Sequence, residues 1–197
     1  GGAAATAAAL QAGGVAPFGG PAGAARVTSG GVQVALTAHD LSDGVPVALG
    51  VELAAARAQG EVLIATFHVT GPPSYLPPPA LREAVEVALA AGAKAAVAHG
   101  SHAVARVEAR GDAVIAWGLG NVAFDCRCTD EIDALALDLR IGRGGGIEAA
   151  AALAIDAGIA GGPARLAADP GATFDLLAAL GSSPGRRDGH RLWIVEG

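Results

Sequence analysis

A chain of 197 residues has the length of one domain, and at that size roughly 70% of the surface exposed on unfolding is buried. Hydrophobic residues make up 52% but aromatics only 4%, so the core is largely alanine, and each buried side chain withdraws little surface at about 25 cal/mol per Å². The net charge is −6, and the 13 basic residues are scattered apart from Arg186-Arg187, which excludes the clustered cationic face that nucleic-acid binding needs.

Residues 1–25 carry no charge. They lack a basic leader region and are broken by Gly and Pro, so they fit neither a signal peptide nor a spanning helix. No other apolar run approaches the roughly 20 residues of a membrane span. The absence of methionine and the Gly-Gly-Ala opening suggest a fragment of a longer protein. Residues 6–11 predict a short helix stopped by Gly13-Gly14, and residues 15–26 predict a loop. A strand over 32–38 ends at His39-Asp40. A helix over 49–59, closed by Gly60, leads to a second buried strand over 61–67 that ends at His68. Pro72, Pro73, Pro77, Pro78 and Pro79 keep the next loop extended and stiff. Residues 80–91 place Leu81, Val85, Ala88 and Leu89 on one helical stripe.

The stretch 93–125 organises the rest. A short apolar strand, 95–98, stops at His99-Gly100-Ser101-His102. Two alternating segments, 104–109 and 113–117, meet at Arg110-Gly111-Asp112, where glycine supplies the positive φ of a hairpin turn. Leu119-Gly120-Asn121-Val122-Ala123-Phe124-Asp125 closes the stretch. Cys126 and Cys128, one residue apart, rarely close a disulfide and form only a weak half of a zinc site. Further on, 134–141 predicts a strand and 142–146 a turn. Residues 147–155 are open between strand and helix, with alanine favouring helix. Residues 173–180 predict a helix and 191–195 a last strand.

Four of the chain's five histidines stand at or just after predicted strand ends: His39, His68, His99 and His102. In open α/β sheets the carboxyl ends of strands form the crevice in which ligands sit. A single strand-end histidine is usually a core or boundary residue with a satisfied ring. The pair His99 and His102 is the better site candidate. His190 is expected in solvent, His39 at the surface, with it or Asp40 filling a vacant ligand position as the alternative, and Glu108 pointing out of the hairpin without a special role.

The order strand, His-x-x-His, hairpin, then Gly-Leu-Gly-Asn-Val-Ala-Phe-Asp resembles the CapA family of poly-γ-glutamate capsule biosynthesis proteins, with stretches near "GHxPH" and "YSLGNFVFD". That family belongs to the calcineurin-like metallophosphoesterase superfamily. The resemblance runs from about residue 13 to the C-terminus as one partial domain over 1–197. It implies an α/β sandwich of two mixed sheets flanked by helices, and a strand over 147–155. His68 stands where the family has "HWG", with Val69-Thr70 in place of Trp-Gly. At "GHxPH", Ala98 replaces glycine and Ser101 proline. The "NNHxxD" ligands would precede Gly1, which leaves a dinuclear site incomplete.

By that resemblance His68, His99 and His102 are metal ligands, with His102 also the candidate catalytic proton donor. The ion would be a divalent Mn, Fe or Zn, activating water for attack at phosphorus. Asn121 and Asp125 lie near substrate or serve structure, as a turn cap and a strand end. The implied protein acts in capsule synthesis or export, outside the cytoplasm at the membrane, on an anionic polymer or phosphoester and within a synthesis complex. If active, it is a metal-dependent phosphoesterase-type hydrolase. The alternative is a non-catalytic module of the same fold that holds polymer or a partner.

Overall fold

The computed structural model describes residues 2–57, 62–124, 133–159 and 162–197. After α1 (Gly2–Ala12), the strands β1 (Ala25–Ser29), β2 (Val32–Asp40), β3 (Val62–His68), β4 (Ala95–His99), β5 (Val107–Arg110) and β6 (Ala113–Ala116) form one sheet in the order β1-β2-β3-β4-β6-β5. The strands β2, β3, β4 and β6 run parallel, and β1 and β5 close the edges antiparallel. The central strand β3 is apolar on both faces, as a strand covered from both sides must be.

Two helices cover one face, α2 (Leu49–Ala56) and α3 (Pro79–Ala90). Proline at the start of α3 fits the helix's first turn, where no amide partner is lost. Leu81, Ala84, Val85 and Ala88 then pack with Leu63, Phe67 and Ala96, close to the predicted stripe. The predicted helix over 49–59 is shorter, ending at Ala56 with Arg57 as its C-cap, and its Gly60 stop lies outside the described residues.

Past β7 (Ala123–Phe124), the strands β8 (Asp133–Ile141) and β9 (Ile147–Asp156) make a long hairpin. The strand β10 (Gly158–Ile159) pairs with β7. The second sheet is completed by β11 (Arg165–Leu166), β12 (Arg186–Asp188) and β13 (Arg191–Val195), and α4 (Pro170–Ala179) packs beside it. Every pairing in this sheet is antiparallel, which corrects the mixed second sheet implied by resemblance. The architecture is an α/β sandwich.

The alanine run of β9 is strand, against its helix propensity. It is bonded by β8 on one side and β13 on the other, and its small side chains Ala150, Ala152 and Ala154 let Phe174, Leu177 and Ile194 pack close. Tertiary pairing decides what local preference does not.

Two other expectations need correction. Residues 25–26, read as loop, begin β1, which turns at Gly30-Gly31 (φ +59° and +83°) into β2. The hairpin is shorter than predicted: Gly111 has the expected positive φ, +61°, but Val104 makes a separate bridge to Leu119. Among the described residues, no helix is long and apolar enough to cross a membrane.

Candidate metal and polymer site

The site grows from strand register. Asp40 pairs with His68 and His68 with His99 across β2, β3 and β4. Paired residues on neighbouring parallel strands point to the same face, so these three side chains stand in a row at the carboxyl edge of the sheet. One residue earlier, His39, Phe67 and Ala98 are paired and point the other way.

His68 Nδ1 and His99 Nδ1 are 3.2 Å apart. Two imidazoles bound at 2.0–2.1 Å to one tetrahedral ion hold their nitrogens about 3.3 Å apart, so the pair fits two positions of a single-ion site. Gly100 makes this approach feasible: its φ is +90°, and a Cβ there would lie 2.2 Å from the Val69 carbonyl oxygen and 2.6 Å from His68 Cε1. Burial first, then the charge of His68, pushes the His99 imidazole below the ordinary histidine pKa, with Asp40 opposing. The Asp40 carboxylate accepts bonds from the Ser42 hydroxyl and the Ser42 amide, which hold its pKa low.

A cleft of about 380 Å³ opens at this row, with Leu10, Pro17 and Phe18 on one wall and Asp40, His68 and His99 on the other. Among the described residues, no Lys or Arg lines it.

His102 belongs to a different pair. Its Nδ1 is 2.9 Å from Asn121 Oδ1, and Asn121 Nδ2 donates back to the His102 carbonyl at 3.4 Å. This clamp holds His102 at φ +58°, the one positive value among the described non-glycine residues. The buried Asn121 therefore orients a histidine, a finer role than a turn cap. Among the described residues no three His, Cys, Asp or Glu side chains form a group that could hold an ion. Asp125, Cys126 and Cys128 lie outside the described residues.

Three expectations are corrected. His39 is not a surface residue: its side chain is 10% exposed and lies 3.5 Å from Glu52, beside the Phe67 ring at 6.0 Å. His190 is partly buried, its Nε2 3.1 Å from the Ala167 carbonyl. Glu108 is a hub, accepting from Trp117 Nε1 at 3.0 Å and Arg110 Nη2 at 2.9 Å. Sequence reasoning missed Glu52 and Thr37, because neither spacing nor composition marks the helix residue that meets a strand end.

Residues 39–126 match the family of the bacterial capsule synthesis protein PGA_cap; no curated protein matches the chain. The matched segment opens at His39 and contains His68, His99, His102 and Asn121. Over that segment, a little under half of its length, the chain is similar to the bacterial capsule synthesis protein family.

Proposed function

We propose that this chain acts in synthesis or export of an anionic capsule polymer, poly-γ-glutamate by family resemblance, and that His68 and His99 hold a single divalent transition ion at the mouth of the cleft. The observation that carries this reading is the 3.2 Å approach of the two Nδ1 atoms. When bound, such an ion supplies the positive charge and Lewis acidity that a carboxylate or phosphoester oxygen needs. Among the described residues, no Lys or Arg lines the cleft to supply it.

The chain's own residues divide the work. His68 and His99 bind through Nδ1, and Gly100 lets their strand ends approach. Asn121 fixes His102 with its proton on Nδ1, so that Nε2 is the atom that would exchange a proton with a leaving group. Titration with Zn²⁺ or Mn²⁺ and metal analysis tests the reading: one ion per chain is expected, lost in His68→Ala and His99→Ala. Two tightly held ions, or binding unchanged in both variants, would overturn it.

A second reading has its own support. The His102 ring is paired with Asn121 and forms no ligand group with His68 and His99, which favours a module that holds polymer without cutting it. Hydrolysis of bis(4-nitrophenyl) phosphate by the metal-loaded chain separates the two: turnover lost in His102→Gln supports the phosphoesterase reading, and its absence supports the binding module.

A further inference from the structure

The histidine cleft has an apolar wall as well as a polar one. Ala3, Ala7 and Leu10 share one stripe of α1 by their helical spacing, and that stripe lines the cleft together with Pro17 and Phe18. Gly19 seats this wall against the sheet: its φ is +89°, and a Cβ there would lie 2.7 Å from Ala38 Cβ near the end of β2. The wall still presents apolar surface, with Leu10 38% and Phe18 39% exposed, and exposed apolar side chains gathered at one place mark a binding surface. Across the cleft His99 is exposed and His68 half-buried, so a ligand reaches both.

The two walls make different demands. The polar one holds a single oxyanion, by way of the ion assigned above to His68 and His99. A second carboxylate on the same ligand would meet either Asp40, which repels it, or side chains that give it no hydrogen bond, because no Lys or Arg lines the cleft among the described residues. A hydrocarbon segment would instead withdraw its own surface and that of Leu10 and Phe18 from water. At about 380 Å³ the cleft has the size of a small-molecule site, in which a mostly apolar lining surrounds a few polar groups that fix orientation.

We propose that the ligand of this cleft is amphiphilic, with one carboxylate or phosphoester head at His68 and His99 and a short aliphatic segment lying on Leu10, Pro17 and Phe18. The head rests on the ion site proposed above, while the aliphatic segment rests on the apolar wall alone.

The test is an NMR titration of the Zn²⁺-loaded chain with methylphosphonate against hexylphosphonate and with acetate against heptanoate, following the Leu10 methyls and the Phe18 ring. Full burial of a methylene strengthens binding about fourfold, and contact with one wall supplies about half of that free energy, so each added carbon should tighten binding about twofold. The long member of each pair should therefore bind about thirtyfold more tightly than the short one, with saturable shifts at Leu10 and Phe18. Whichever pair binds more tightly names the head. Leu10→Ser and Phe18→Ser should each lower the chain-length ratio below about tenfold while keeping the bound ion and the parent circular dichroism spectrum, since both side chains are exposed. Equal affinity for short and long members of both pairs, or a ratio unchanged in both serine variants, would overturn the proposal and leave the ion reading standing. A parent chain that takes up no Zn²⁺ would overturn the ion reading and the amphiphile with it, so the two failures are distinguishable.

Discussion

His68 and His99 occupy paired positions on adjacent parallel strands, and their rings converge, with Nδ1 atoms 3.2 Å apart and ring planes inclined at 54°. The convergence depends on the residue that follows. Gly100→Ala would place a methyl 2.2 Å from a backbone oxygen and 2.6 Å from His68, in a conformation that itself costs an L-residue about 1–2 kcal/mol. The expected outcome is a clear loss of stability in urea together with loss of ion binding. A variant with parental stability and binding would show that the loop after β4 does not set the pair.

The two perturbed histidines set a pH dependence with a definite sign. His39 and His99 both have pKa values below 6.5, each mainly through burial. As pH falls through 6.5 the unfolded chain takes up protons that the folded chain refuses, so the stability these groups contribute is complete above that value and declines below it. The decline levels off once the folded histidines titrate. Asp40, held low by its Ser42 bonds, contributes in a more acid window. Urea midpoints of the chelator-treated chain should therefore drop on acidification below 6.5, and less so in His99→Gln. A midpoint that rises on acidification would contradict the burial argument.

Much of the site was legible because histidines ending parallel strands are a sequence-level fact, and register then brings His68 beside His99. The sequence does not reveal which way each ring turns. The turn at Gly100 draws His99 toward His68, while His102, three residues on, takes a left-handed conformation and closes on Asn121. Likewise the buried strands over 32–38 and 61–67 and the helix before β4 follow from their apolar patterning. The strand β1 was hidden because its hairpin partner, not its own composition, makes it a strand. The alanine-rich β9 was legible only through resemblance, since its neighbours outvote its propensity.

Glu108 should matter more than a hairpin residue facing solvent. Its carboxylate accepts from the indole N–H of Trp117, a residue only 2% exposed, and pairs with Arg106 and Arg110. Truncation leaves a buried donor without its acceptor, a loss of about 1–3 kcal/mol. Glu108→Ala is expected to lower the urea unfolding free energy by that amount. Glu108→Gln, which keeps an acceptor for Trp117, should lose less. Equal losses would assign the effect to the arginine pairs instead.

The clamp on His102 predicts an order among its replacements. At φ +58° alanine meets the steric penalty of the left-handed region and glycine does not, a difference of about 1 kcal/mol. Both lose the bond to Asn121 Oδ1, so that loss cancels in the comparison. His102→Gly should therefore be the more stable of the two in chemical denaturation, despite glycine's greater freedom when unfolded. Because His68 and His99 form their pair without it, both variants should still take up one ion per chain. Abolished uptake in both, with folding intact, would instead place His102 among the ligands and return the site to a three-histidine centre.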